Sequence, residues 1–376
     1  MELSAVVEIE GKHLKLTNLD KVLYPASGFS KRQVIDYYVR IAPVLLPHLK
    51  DKPLTMKRYP GGVNEEFFFE KNAPKHRPDW IKTVPIWSYG NKRNVNYVLV
   101  NDLATLVWVA NLASLELHPS LSLAEDIKCP TMMVFDLDPG PPANIVECAQ
   151  VARWLRRMFE HLKLESFPKT SGSKGLQIYV PLHTPTSYEE TKPFAHALAR
   201  LLEEEHPELV VSDMKKAMRT GKVLVDWSQN DEHKTTVSVY SLRARERQTV
   251  STPLEWDEVE RLLKKKDPQR VVFEAAAVLA RVEKSGDLFE PVLKLKQKLP
   301  NLRDMLASGE LQQIERESIA AHALARAQGM ARKAERRGPP LARSTVVHPK
   351  ATAGAQRVRR PRPGTDHRRS RQRRKS

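Results

Sequence analysis

Cysteine is nearly missing from this sequence. Only Cys129 and Cys148 occur among 376 residues, too few for a disulfide framework or a cysteine zinc site. No apolar run approaches the roughly 18 residues that a membrane-spanning helix needs. The opening stretch, MELSAVVEIEGKHLKL, has neither the basic start nor the apolar centre of a secretory signal. Internal repeats are absent. So is the P-loop pattern, in which two glycines bracket four residues before Lys and Ser or Thr. These absences argue against a secreted disulfide scaffold, a membrane-spanning chain and a P-loop NTPase, and a cytoplasmic protein is expected. Aromatics are missing from residues 331–376, where sixteen Lys and Arg face only Glu335 and Asp366. Such a segment cannot bury a core, so a disordered basic tail is expected there. It would hold a polyanion through salt-sensitive phosphate contacts, or serve only as a solubilising tail.

What remains is ordinary in bulk: 41% hydrophobic and 28% charged residues, with most of the net charge of +17 in that tail. The length allows two or three domains. The informative stretch is TMMVFDLDPG, Thr131 to Gly140. On a strand, alternate side chains share a face, so Asp136 and Asp138 point the same way. Two carboxylates at the end of a buried strand repel unless a cation lies between them. Mg²⁺ or Mn²⁺ would suit these oxygens and keep phosphate oxygens as further ligands. Asp-Leu-Asp-Pro-Gly is also good turn chemistry, and the residues alone leave both readings open.

Along the chain, Val6 to Ile9 alternates like a strand, and Asn18, Asp20 and Lys21 follow in a loop-like setting. Ser30 with Gln33 is a capping box that opens a helix with Val34, Tyr37, Ile41 and Leu45 on one side. Lys31 falls in its first turn, where only a bound anion would favour a cation; a solvated lysine is the plainer reading. Leu54 to Met56 predicts a strand with Lys57 and Arg58 at its end. Of Phe67, Phe68 and Phe69, alternation sends at least one outward, as a base-stacking platform or wedged against a loop. Residues 95–120 predict a strand ending near Asn101 and Asp102, then a buried helix, with His118 after it as a capping group. Ala143 to Leu164 has helical spacing, and this strand–turn–helix order suggests an α/β layer. Ser171-Gly-Ser-Lys174-Gly175 can bring backbone N–H groups close to an anion, or simply turn a corner. Gln177 and Tyr179 share a face of the strand after it. Ser187 with Glu190 opens a helix through Leu202. A loop with Lys215, Lys216, Arg219 and Lys222 precedes Val223 to Asp226, where Leu224 and Asp226 share a side. Thr235 to Tyr240 is β-prone, and residues 254–316 look helical and connective.

Asp136-Leu-Asp138-Pro, Ser171-Gly-Ser-Lys-Gly-Leu and Val-Asp226-Trp resemble the three motifs of the archaeo-eukaryotic primase superfamily. More narrowly, LTNLDKVLYP, LTMKRYPGG, FFFEKNAP, LELHPS and WSQN are similar to the polymerase domain of bacterial ligase D, over roughly residues 10–300. The resemblance implies an α/β (α+β) catalytic core: a mixed α/β module plus an RNA-recognition-like sheet, with the active site in the cleft between them. It implies a polymerase domain over residues 1–300, a helical extension over 301–330 and the tail beyond. Asp136, Asp138 and Asp226 are expected to hold two Mn²⁺ or Mg²⁺ ions. Lys57, His118, Ser171, Lys174, Gln177, Arg219, Gln229 and Arg243 are expected around an incoming nucleoside triphosphate, with Arg219 on a mobile loop. Asn18, Lys21 and Lys31 match a pocket for a recessed 5′-phosphate, and Phe68 and Phe69 match aromatics that stack on DNA.

The implied activity is a nucleotidyltransferase that adds nucleotides, ribonucleotides by preference, at double-strand breaks and gaps. Ku and a separate DNA ligase are the partners implied, at the bacterial nucleoid. No ligase or nuclease segment is seen, so a stand-alone form is expected. A non-catalytic end-bridging factor and a primase are the alternatives; the three carboxylates favour an enzyme, and Lys21 with Lys31 disfavours priming without a recessed end. One departure is plain: Gln177 stands where the family usually has His. An amide can donate a hydrogen bond to phosphate but carries neither charge nor a proton.

Overall fold

The computed structural model describes residues 4–309. Two short hairpins open it: β1 (Ala5–Ile9) with β2 (Lys12–Leu16), and β3 (Val22–Tyr24) with β4 (Phe29–Ser30). Ser30 then caps α1 (Lys31–Leu49), and the expected box forms, since Ser30 N donates to Gln33 Oε1 and Gln33 N to Ser30 Oγ. Val34, Tyr37, Ile41 and Leu45 are all buried along α1.

The first sheet is built from β5 (Pro53–Arg58), β6 (Phe68–Glu70), β7 (Thr83–Ser88), β8 (Arg93–Leu99) and β9 (Ser114–Pro119). Strand β5 is its hub and pairs with β9, β8 and β6. Between β8 and β9 lies α2 (Leu103–Asn111), capped by Asp102, which accepts from Thr105 N at 2.8 Å. Here the expectation needs correction. The apolar helix ends at Asn111, and His118 sits on strand β9 rather than at a helix end. Leu115 and Leu117 enter the core while Glu116 and His118 alternate with them, a period that a strand can bury and a helix cannot.

The second sheet runs in the order β11-β12-β10-β14-β13, from β10 (Met132–Pro139), β11 (Phe167–Thr170), β12 (Leu176–Pro181), β13 (Val210–Val211) and β14 (Val223–Asp226). All its pairings are antiparallel except β13 with β14. One face, carrying Met133, Phe135 and Leu137 of β10 with Ile178 and Val180 of β12, packs on α3 (Ile145–His161) and α4 (Tyr188–Glu205). Helix α3 begins at Ile145 because Asn144 caps it, accepting from Val146 N; α4 runs three residues beyond the expected Leu202. From the other face, Met132, Val134 and Tyr179 join the core of the first half. A layer with apolar side chains on both faces therefore separates two cores, and only its polar end is left open.

Thr235 to Tyr240, expected to be β-prone, forms no strand. It is a buried connection between the cores, held to β9 by Thr236 N to Pro119 O and Ser238 N to Leu117 O. Four helices follow: α5 (Trp256–Lys265), α6 (Ala275–Ser285), α7 (Pro291–Lys294) and α8 (Leu302–Ser308). The rest of the expected helical extension and the basic tail lie outside the described residues. Among the described residues no helix is long and apolar enough to cross a membrane.

Candidate active site

The antiparallel register brings the acidic residues together. Strand β14 places Asp226 directly opposite Asp136, and Asp138 lies two residues further along β10 on the same face. On the other side of β10, Gln177 is opposite Asp136, and Lys169 of β11 is opposite Gln177. Lys169, Gln177, Asp136 and Asp226 thus form one row across four strands, with neighbouring Cβ atoms roughly 4.5–5.5 Å apart. Burial, helped by Asp138 and Asp226, pushes the Asp136 carboxyl up to about 7, while a hydrogen bond from Gln177 and the charge of Lys169 pull it back. Asp226 Oδ1 accepts from Ser228 N at 2.9 Å and Ser228 Oγ at 2.6 Å, and its Oδ2 accepts from Gln229 Nε2 at 2.7 Å.

As these side chains stand, the described residues form no ready cluster of three metal-ligating groups. The donor set nevertheless fits a hard divalent cation. It is three carboxylates on one open sheet end, and Asp138 and Asp226 add to the burial that raises Asp136.

A cleft of about 520 Å³ opens over this row, lined by Asp136, Asp138, Gln177 and Gln229 and by Ser171, Lys174, His118 and Arg243. Ser171 Oγ accepts from Ser173 N at 3.2 Å and Gly175 N at 3.1 Å, which folds the loop tightly. Gly175 is required by close approach, because a Cβ there would lie 1.9 Å from Leu137 O on the acidic strand. Lys174 is exposed at the rim. The Arg243 guanidinium reaches back to this loop and donates to Ser171 O at 2.5 Å.

Arg219 stands apart from the lining residues. It is half-buried, donates to Met214 O at 2.6 Å, and lies within electrostatic reach of Asp138. Its loop rests on the Pro-Gly turn after β10: Gly140 N donates to Lys222 O at 2.8 Å, Gly221 N donates to Gly140 O at 3.1 Å, and a Cβ on Gly140 would meet Arg219 O at 1.9 Å.

Lys57, the penultimate residue of β5, lies opposite Glu116 of β9. Its ammonium is 4.2 Å from the centre of the Phe67 ring, and Arg58 is 5.1 Å from that of Phe68. All three phenylalanines are exposed, at 49%, 44% and 56% for Phe67, Phe68 and Phe69, so the cluster is a surface rather than a wedge. Phe69 also lines a larger adjoining cleft of about 760 Å³ that carries Lys71, Lys75, Arg93 and Trp87. Asn18, Lys21 and Lys31 meet in a separate cleft of about 460 Å³ with Arg58 and His76. Lys31 is not a solvated lysine. It is buried, and its ammonium donates to Thr17 O at 2.7 Å. Asn18 takes the left-handed conformation there (φ 53°), which asparagine tolerates.

Two residues at the centre of the site were not singled out from the sequence. Glu116, 2% exposed, is ringed by Lys57, His118 and Arg243. Lys169, fully buried, donates to Gln177 Oε1 at 2.5 Å and Ser251 Oγ at 2.7 Å. A strand position opposite Gln177 was the only signal for Lys169, and strand pairing is not written in local sequence.

Comparison with known proteins agrees with this geometry. Residues 30–289 match the family described as LigD, primase-polymerase domain. The multifunctional non-homologous end joining protein LigD of Mycolicibacterium smegmatis is 41% identical over 299 residues, 78% of this chain and 38% of that protein. The bifunctional LigD of Bacillus subtilis is 32% identical over 274 residues, 73% of this chain and 43% of its own. The chain therefore spans less than half the length of these relatives. Among solved structures, the polymerase domain of Mycobacterium tuberculosis ligase D, in complex with DNA, superposes with a TM-score of 0.69 at 37% identity, covering 76% of this chain and 99% of that one. With an archaeo-eukaryotic primase fold and its acidic residues in register on neighbouring strands, the chain belongs to the LigD primase-polymerase domain family.

Proposed function

We propose that this chain adds nucleotides to 3′ ends at gapped or broken DNA. The observation that carries the reading is the placement of Asp136, Asp138 and Asp226 on one face of the sheet, under a cleft whose other wall is cationic. Asp136, Asp138 and Asp226 would hold two divalent ions, Mn²⁺ or Mg²⁺, which when bound activate a 3′-hydroxyl and offset charge on a leaving pyrophosphate. Lys57, His118, Ser171, Lys174 and Arg243 would grip the triphosphate, and Arg219 would join them from its loop. Gln229 holds the Asp226 carboxylate, and Gln177 holds Asp136. Asn18, Lys21 and Lys31 would receive the 5′-phosphate across the gap, with Phe68 and Phe69 stacking on bases beside it.

Residues 1–300 would form the polymerase module, and the charge of residues 331–376 would add non-specific affinity for DNA. Ku and a separate ligase are the partners this role calls for, at the chromosome in the bacterial cytoplasm. The test is extension of a gapped duplex with Mn²⁺, with and without a 5′-phosphate, by the native chain and by Asp138→Ala. Extension favoured by the phosphate and lost in the variant is expected. Equal extension by both proteins would refute the assignment of the carboxylates.

A further inference from the structure

An acid inside an anion-binding pocket needs a reason. Glu116 sits on β9 with its side chain behind the cleft, against the lining residues His118 and Arg243, and it is almost fully buried. Its Oε2 lies 2.9 Å from His118 Nε2 and 3.4 Å from Arg243 Nε. Its Oε1 lies 3.6 Å from Lys57 Nζ, accepts from Ala244 N at 3.1 Å, and is 3.4 Å from the Tyr59 hydroxyl. Three elements that no local sequence signal links, β5, β9 and the Arg243 segment, are thereby gathered on one carboxylate.

Burial alone would raise the pKa of Glu116, yet His118, Arg243 and Lys57 together hold it well below the usual carboxylate range. The effect is reciprocal. Burial lowers the pKa of Lys57 and of His118, and Glu116 is the main group opposing that loss in each. Glu116 meets His118 Nε2 directly and pairs with Lys57 and Arg243 as charges, so Lys57 keeps its ammonium protons and Arg243 an Nη2 group beside the Nη1 that meets Ser171 O.

We propose that Glu116 is the positioning residue of the nucleotide pocket, holding the donors of Lys57 and Arg243 and the ring of His118 toward a triphosphate. This rests on the reading that those three residues meet the triphosphate. Two effects of removing its charge compete. A negative charge leaves the pocket, which would favour an anion. Against that, Lys57, His118 and Arg243 lose their common anchor, and the charge of Lys57, which burial disfavours, loses the carboxylate that supports it. The second effect dominates because both the aim and the charge of the donors depend on the same carboxylate.

The experiment uses the full chain and Glu116→Gln, with Glu116→Asp as a second variant that keeps the charge but retracts it by one methylene. Five quantities are read: the nucleotide KM and kcat on a 5′-phosphorylated gapped duplex with Mn²⁺, the affinity of a fluorescent non-hydrolysable nucleoside triphosphate, the affinity for the same duplex, and the thermal midpoint. Glu116→Gln is expected to raise KM at least tenfold and to weaken the fluorescent triphosphate equally. kcat should fall less than threefold, and DNA affinity should hold. Glu116→Asp should show a smaller rise in KM and supplies the reading if Glu116→Gln does not fold. An unchanged or lowered KM in a folded variant overturns the proposal. Failure of the native chain to bind the fluorescent triphosphate overturns the nucleotide reading and this inference with it; native binding with variants unaffected overturns this inference alone.

Discussion

At the scale of single residues, position 177 shows what a motif leaves unsaid. From the sequence, replacing Gln177 by His would be expected to add a cation to the nucleotide pocket. The structure puts a cation there already, on the neighbouring strand: Lys169 donates to Gln177 Oε1, and Gln177 in turn hydrogen-bonds Asp136. Lysine only donates and a carboxylate only accepts, so the amide is held with its oxygen toward Lys169 and its nitrogen toward Asp136. It is Lys169, held by Gln177 and Ser251, that stands beside the amide. A protonated imidazole at 177 would face that ammonium, so Gln177→His should bring no extra rate at low pH. Truncation tests the row directly. Gln177→Leu leaves the buried Lys169 with Ser251 alone and should cost about 1–3 kcal/mol of stability. Adding Lys169→Met should recover most of that loss, because an apolar pair strands no donor. Urea unfolding of the two single variants and the double variant measures this; a double variant no better than Gln177→Leu would show that the two side chains are not coupled.

At the scale of elements, helix starts were legible and strand partners were not. Ser30 with Gln33 and Ser187 with Glu190 are local signals, read correctly as helix starts because a cap is satisfied within four residues. The alternation that puts Asp136 and Asp138 on one face is equally local. That Asp226 would lie opposite Asp136 needed the register of β10 with β14, some ninety residues apart, which only the folded sheet supplies. The crowding has a pH signature. Asp136 rises from its ordinary 3.8 to about 7 in the fold, so the folded state keeps a proton that the unfolded chain has lost. Without metal, the group's contribution to stability is full below about pH 4 and is lost as pH rises toward 7. Asp136→Asn, which mimics the protonated acid, should therefore stabilise the metal-free protein increasingly from about pH 5 to about pH 7 and level off above. Thermal midpoints in chelator across that range are the measurement. The N-terminus of α1 makes a second prediction. Lys21 is exposed in the cleft and Lys31 is buried beside it. Charge-assisted contacts to a phosphate contribute roughly 1.5–3 kcal/mol each, so Lys21→Ala with Lys31→Met should weaken binding of 5′-phosphorylated gaps well over tenfold. Gaps without the phosphate should bind nearly as before in a competition assay; equal weakening of both would place the phosphate elsewhere.

At the scale of the whole molecule, the two-part organisation around a cleft follows from one sheet having apolar residues on both faces, which requires a core on each side. Composition alone sets apart residues 331–376, whose charge should act on DNA without reading sequence. Deleting them should lower affinity for duplex and flatten the slope of log affinity against log salt, leaving gap extension at saturating DNA intact. A slope that does not change would assign the tail to another partner. What composition could not reveal is how the moving and fixed parts of the molecule are joined. The loop of Arg219 is laced by its backbone to the Gly140 turn, so its base cannot slide away from β10. The loop is thus anchored at the foot of the acidic strand, with Met214 O accepting from Arg219 further out. If a nucleotide engages Arg219 as proposed, it would pull on the same turn that ends the strand of Asp136 and Asp138, and couple substrate arrival to the setting of those acids.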